Sequence, residues 1–400
     1  MRMTGVCTLD QQAFMGVRVI DFSQGIAGPH CAMLLAQHGA EVIKVEPLGG
    51  DWGRVLGRPF GEHTAHSIAF NRGKRSIAVD LTKPSGLDVG RRLTENCDVI
   101  IEAFRPSVMA KYGLSFEDVR SVNQQVIYVS VNGFGSVGPY RDLPVTDAVI
   151  QATSGLMTVN RSSDGTPNRL AMTPIDVVTG LYAFQALSAA LMRKFRFGTG
   201  AQLEISLMQA AAAFQAAKIM EYHLDKGDVE PLYSPVATLR TTDGWINITA
   251  MRDNHFESLC KVIGHPQLAN DARYQGRENR IRNEDTLLPL LREEFAKQSS
   301  AYWLGALNGA GVMNAVVQSY GDFLKDPHTR AASAVSYYEH PGVGEIAVAE
   351  IPGVPGSDEG ANRFVAPGIG EHTNQILTEL NYSSTEIESM RSEQSIASFA

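Results

Sequence analysis

The feature that most narrows the possible folds is a repeated change of period in the first half of the chain. Short apolar, β-branched runs at residues 16–22, 40–46, 75–81, 97–102 and 126–131 read as strands. Between them, residues 31–37 read as a helix stopped by Gly39, and Ser85 opens another that runs to Leu93. Strands joined through helices require a parallel sheet between helix layers. The expected fold class is therefore α/β, with a doubly wound, Rossmann-like large domain. In such a sheet the loop after the first strand, here 23–29, faces the ligand. It lacks the dinucleotide fingerprint. Gly25 and Gly28 are three apart and no third glycine follows at the required place, which argues against a nicotinamide-dependent dehydrogenase. A tight strand-to-helix turn is the plain alternative for these glycines.

At 400 residues the chain exceeds one ordinary domain. Residues 1–225 are read as the large domain, 226–330 as a smaller α+β domain, and 331–400 as a linker and C-terminal segment returning to the large domain. Two long helices are expected at 174–192 and 203–224, a hairpin arm and strand at 241–250, helices over 254–323, an extended stretch at 331–369 and a last helix at 372–380. The net charge of −8 disfavours nucleic acid and anionic membranes as partners. No 18-residue apolar run free of charge suggests a membrane span, and residues 1–12 lack the apolar stretch of a secretory leader. Cys7, Cys31, Cys97 and Cys260 show no CxxC spacing, so neither a zinc site nor a disulfide framework is indicated. A cytoplasmic location is expected.

No HExxH, Walker loop or GxSxG is present, and nothing sets a second ligand beside His30 or His66, both expected in loops. Metal-independent chemistry is favoured. Asp176 follows Pro174, a natural first-turn residue, so its carboxylate either stabilises a helix start or acts as a nucleophile. The helix dipole is expected to lower its pKa and keep it ionised at neutral pH. Asp147 either caps a second helix or supports Asp176 through hydrogen bonds. Arg105, just past a strand end, and Lys74 with Arg75, just before one, either meet phosphates or sit as solvated charges. Arg141 and Arg169 are candidates to hold a second substrate carboxylate.

Taken in order, these segments resemble the family III CoA-transferases, the group that includes formyl-CoA transferase, carnitine CoA-transferase and α-methylacyl-CoA racemase. The resemblance is carried by residues 19–22, 27–29, 39–46, 71–77, 98–106, 133–135 and 154–157, by Asp176 with Thr179 and Gly180, and by 243–244 and 370–373. It implies dimers of two interlocked rings, which would account for the extended 331–369 stretch. It implies coenzyme A and acyl-CoA as substrates, with no tightly bound cofactor and no metal, and a small carboxylic acid as the other substrate. Asp176 would be the catalytic nucleophile, supported by Asp147 and by the loop residues Ile26, Ala27 and Gly28. Lys74, Arg75, Phe104, Arg105, Lys111 and Tyr112 would approach the nucleotide end of CoA. Two departures bear on the activity. Where the racemases carry a histidine this chain has Thr146, which cannot shuttle a proton at neutral pH and so favours transfer over isomerisation. Where formyl-CoA transferases carry a glutamine it has Ile26, which argues against the formyl and oxalate pair. A short dicarboxylate acceptor with succinyl-CoA as donor is expected. The alternatives are a racemase-type isomerase and a non-catalytic CoA-binding protein.

Overall fold

The computed structural model describes residues 12–105, 107–162, 164–227, 231–354 and 364–397; Cys7, Pro355 and Gly356 lie outside them. Two compact units emerge, one formed by residues up to 216 together with those from 334 onward, the other by residues 217–333.

The first unit is built on seven strands: β1 Arg18–Asp21, β2 Glu41–Glu46, β3 Arg75–Val79, β4 Val99–Glu102, β5 Ile127–Asn132, β6 Ala201–Ser206 and β7 Ile396–Ala397. Their order is β7-β3-β2-β1-β4-β5-β6. The first six run parallel, and only β7 lies antiparallel, on β3. The parallel order is that of a doubly wound Rossmann-type sheet, whose winding reverses between β1 and β4. The two-residue period of a strand sends neighbouring side chains to opposite faces. Val19, Val42, Val99 and Val129 thus pack against one helix layer, with Leu35, Ile175, Leu187 and Leu191. Ile20, Ile43, Ile77 and Ile100 pack against the other, with Val89, Leu93, Ile376 and Leu377.

Two expectations need correction. The segment 203–224 is not one helix. Residues 201–206 alternate in exposure and pair with β5, and the helix Leu207–Phe214 starts only after Ser206, whose side chain caps it. The first helix begins earlier than expected, at Ala27, so His30 lies inside it rather than in a loop, and His66 likewise lies in the helix Ala65–Asn71. The helix Pro174–Phe197 has the length and composition to cross a membrane, although Asp176, Arg193 and Lys194 interrupt its apolar run. Its Ile175, Thr179, Gly180, Ala183, Leu187 and Leu191 are buried on one stripe, the pattern of a core helix.

Beneath the first loop lies a run of buried ion pairs. Lys44 Nζ donates to Asp51 Oδ2 at 2.7 Å and to the carbonyl of Ser23 at 3.0 Å. Lys74 Nζ donates to Asp21 Oδ2 at 2.8 Å, to Asn71 Oδ1 and to the carbonyl of Pro29, both at 2.9 Å. Arg54 grips Glu46 through Nε at 2.8 Å and Nη2 at 2.7 Å. Burial pushes Asp21 up, but the Lys74 and Lys44 ammonium groups outweigh it and hold the carboxyl below its ordinary range. Against the same burial, Arg54 and Lys44 hold Glu46 low, and Asp51, Asp21 and Glu46 hold Lys44 high and protonated.

The chain after residue 334 closes on the same region. The hairpin Val335–His340 with Gly344–Ala349 brings the His340 ring to 4.7 Å from that of His63. Farther on, Arg54 Nη2 donates to the carbonyl of Pro367 at 3.0 Å, Gly370 N–H to Ser76 Oγ at 2.8 Å, and His372 N–H to the carbonyl of Ser76 at 2.9 Å. The helices Thr373–Glu379 and Ser384–Ser392 follow, before β7 covers the outer edge of β3.

The second unit is α+β. Its antiparallel sheet, ordered Met313–Val316, Trp245–Thr249, Val236–Arg240, carries Leu239, Ile246 and Ile248 into a core with Phe256, Leu287 and Phe295.

Removing one member of a buried ion pair strands the other in low dielectric. Lys44→Met should therefore lower unfolding stability by about 3–5 kcal/mol, measured by urea denaturation. A loss below about 1 kcal/mol would mean that the loop does not depend on this cation.

Candidate active site

Asp176 is the third residue of the helix Pro174–Phe197 and is partly buried. Proline at the first position removes one unpaired N–H from that helix end. The next two belong to Asp147. Its Oδ2 accepts the N–H of Ile175 at 2.7 Å and of Asp176 at 3.1 Å. Asp147 thus caps the helix that carries Asp176, while its own helix, Asp147–Thr153, is capped by Thr146 Oγ1. One turn on, Gln151, fully buried, donates from Nε2 to Asp147 Oδ1 at 2.5 Å and accepts the N–H of Leu170 at 2.9 Å. This amide ties the strand-like approach to Asp176 onto Asp147.

The expectation that Asp176 is held ionised by its helix end is overturned. Burial pushes its carboxyl up, the negative charge of Asp147 adds to that, and the two raise it to about 7. The physical reason is competition, since the first-turn N–H groups that would have stabilised Asp176 are already taken by Asp147.

Asp176 lies one turn before Gly180 on the same helix face. A Cβ at Gly180 would lie 2.8 Å from the carbonyl oxygen of Ala27 and 2.7 Å from His30 Nδ1, so only glycine permits this approach to the first helix. His30 Nδ1 hydrogen-bonds the carbonyl of Val177 at 3.1 Å. Burial, reinforced by Lys74 and Arg72, lowers His30 to about 4, so the ring is neutral and Nδ1 is the donor. These contacts set the helix of Asp176 beside Ile26, Ala27 and Gly28, which stand at the start of the first helix rather than in the expected loop. Ile26 occupies the N-cap position of the Ala27–Gln37 helix, and no side chain caps that end. Gly28 has its own steric reason, because a Cβ there would lie 2.4 Å from Ser23 Oγ.

Two clefts open at the carboxyl ends of the strands, on either side of Phe104. The smaller, about 390 Å³, is lined by Phe22, Gln24, Pro47, Asp80, Phe104 and Tyr112, among others. The larger, about 610 Å³, is lined by residues including Glu102, Phe104, Arg105, Tyr128, Gln202 and Glu204. Phe104 and Tyr112 therefore share a cleft, Arg105 lines the neighbouring one, and Lys111 is exposed and lines neither.

Lys74 and Arg75 do not fit the role expected of them. The Lys74 side chain is fully buried and bonded to three oxygen acceptors, out of reach of a phosphate. Arg75 stands at the amino end of β3, where Glu41 and Glu379 each bind it at 2.7 Å. Arg141 pairs with its neighbour Asp142 on the surface, and Arg169 is exposed. Among the described residues no group of three His, Cys, Asp or Glu side chains could hold a metal ion. Sequence reasoning missed Gln151, the contact of His30 with Val177, and the charges under the loop. The four-residue spacings of Asp147 to Gln151 and Asp176 to Gly180 were the available signals.

A parallel sheet with clefts at its carboxyl edge and a desolvated carboxylate beside its first loop define an α/β enzyme with covalent catalysis within its means. Residues 14–373 match the family described as CoA-transferase family III, and the chain belongs to that family. It is 33% identical over 379 residues to a succinate–glutarate CoA-transferase of Agrobacterium fabrum, covering 91% of this chain and 95% of the relative. It is 31% identical to the human succinyl-CoA:glutarate CoA-transferase, covering 91% and 85%. Among solved structures it is similar to a CAIB/BAIF family protein from Brucella suis, with a TM-score of 0.81 and 30% identity over 92% of this chain and 99% of that one.

The Asp176 titration has a sign that can be tested. Its carboxyl binds a proton more tightly in the fold, at about 7, than at its ordinary value of 3.8. The stability it contributes is full below about pH 4 and is lost as pH rises towards 7, a change on the order of 4 kcal/mol. Asp176→Asn should remove that slope and be the more stable protein at pH 8 in urea denaturation. Equal slopes for both proteins would show the carboxyl to be solvated.

Proposed function

We propose that the chain transfers CoA from succinyl-CoA to a short dicarboxylic acid through covalent intermediates on Asp176. An Asp176 oxygen attacks the thioester carbonyl, the C–S bond breaks, and CoA thiolate leaves a mixed anhydride. The thiolate then attacks Cγ of Asp176, the anhydride C–O bond breaks, and succinate departs from an aspartyl-CoA thioester. The acceptor carboxylate attacks the same carbon and displaces thiolate, which attacks the new acyl carbonyl and restores the Asp176 carboxylate. Each step exchanges one anionic nucleophile for one anionic leaving group, so no proton need move. A neutral His30 and a capping Thr146 suit that requirement.

The observation that carries the reading is the pairing of the two acids. Asp147 takes the N–H groups that would quench Asp176 and adds a repulsive charge, leaving a poorly solvated and hence more nucleophilic carboxylate. The open N–H groups of Ala27 and Gly28, at the start of an uncapped helix, are suited to the tetrahedral oxyanion. The nucleotide end of CoA would enter the cleft of Phe104 and Tyr112, with Arg105 and Lys111 near the phosphates. The small acids named in the relatives support a short dicarboxylate as acceptor. Interlocked homodimers belong to the same proposal. Exposed Leu181, Met192, Phe195, Phe197 and Phe214 on the helices of the first unit are apolar side chains that a partner protomer would cover.

Incubation with succinyl-CoA followed by hydroxylamine should convert Asp176 to its hydroxamate, seen by peptide mass, and Asp176→Asn should lower kcat by about 10³ or more. An unmodified peptide with turnover intact in that variant would remove covalent transfer.

A further inference from the structure

The residue most at odds with simple packing lies over the first loop. Trp52 leaves 53% of its surface exposed, yet the residues on either side of it are held by buried groups. The preceding Asp51 is buried and accepts the N–H of both Gly25 and Gly53 at 2.8 Å through Oδ1, while Lys44 binds its Oδ2. The Asp51 N–H donates to Glu46 Oε2 at 3.0 Å. On the loop side, Gly25 has φ +82°, and a Cβ there would lie 2.1 Å from the indole carbon Cζ2. The indole therefore lies flat against backbone. The short helix that starts at Trp52 also packs against the helix Ala65–Asn71, which leans on the Ala27–Gln37 helix. The same loop thus carries the indole at Gly25 and, at Ala27, the helix of Asp176.

We propose that Trp52 is the wall that sets the size of the acyl group accepted at Asp176. The proposal rests on the transferase reading above and adds to it a determinant of substrate size. An apolar plane beside the loop keeps water from a hydrolysable anhydride. The backbone on both sides of the indole is fixed through Asp51 and Lys44, so a longer acyl chain can displace the ring only by turning it off Gly25. A short acyl group fits beneath it, and a longer one meets the ring. In an apolar pocket each misplaced methylene changes kcat/KM by roughly tenfold or more.

The test combines specificity with a binding signal. Octanoyl-CoA and succinyl-CoA are compared as donors for the wild-type enzyme, Trp52→Phe and Trp52→Ala. The ratio of kcat/KM for octanoyl-CoA to that for succinyl-CoA should rise at least about tenfold in Trp52→Ala. Trp52→Phe, which keeps a ring, should change it far less. Succinyl-CoA should also alter tryptophan emission in a Trp245→Phe background, and the change should vanish when Trp52→Phe is added. Hydroxylamine labelling of Asp176 is run on every variant, with a thermal melt to show that each is folded. Labelling retained with an unchanged ratio and an emission change that survives Trp52→Phe overturns the wall and leaves the transferase reading standing. Absence of labelling in the wild-type enzyme overturns the transferase reading, and the wall with it.

Discussion

The site depends on a set of charges that water does not reach. Lys44 holds Asp51 and the carbonyl of Ser23, Lys74 holds Asp21 and the carbonyl of Pro29, and Arg54 holds Glu46 and the carbonyl of Pro367. Buried ion pairs are weak contributors to net stability, since desolvation consumes most of their attraction. Their value here lies in direction. Each cation spends its remaining donors on a main-chain carbonyl or a side-chain amide oxygen, and Asp51 spends its spare oxygen on the N–H of Gly25. A loop whose backbone is bonded on both sides by buried charges has one conformation, which a purely apolar floor would not specify. The network also binds the C-terminal stretch through Pro367 and Ser76, so the start and the end of the chain are fastened to one set of side chains.

The fold was legible where strand residues are buried on both faces. β4 reads as a near-continuous apolar run because helices cover the sheet on each side, and in β2 Val42, Ile43 and Val45 carry the same signal around the ion-paired Lys44. β6 escaped for the opposite reason. At the sheet edge it alternates Ala, Gln, Leu, Glu, Ile and Ser, and the alanine-rich helix that follows masks a period of two with helix propensity. Lys74 was misread as a phosphate ligand because a cluster of cations before a strand looks like a surface patch. Only the tertiary fold brings Asp21 and Asn71 under it.

Asp176 shows how a residue's place in the fold can be legible while its ionisation is not. Proline at the first helical position placed it correctly, and the helix-end argument then gave the wrong sign for its titration. That argument treats the end of a helix as a fixed positive charge. The charge resides in particular N–H groups, and those of Ile175 and Asp176 itself point at Asp147. Asp147 lies in a different helix, and nothing local to residue 176 announces it.

Two carboxylates at one helix end take opposite characters by this division. Asp147 is buried with both oxygens engaged, by two main-chain N–H groups and the amide of Gln151, and so is suited to hold the helix rather than to react. Asp176 receives none of those donors and takes the repulsion. In the proposed mechanism a more stabilised Asp176 would be a weaker nucleophile and a better leaving group, shifting the anhydride back towards thioester. A less stabilised one would stay protonated near neutrality and not attack. A pKa of about 7 lies between these limits, where half of the acid is ionised at neutral pH and the ionised half retains its driving force. The separation of the two acids into a holder and an attacker is set by hydrogen bonds, whereas their shared negative charge alone would have left them equivalent.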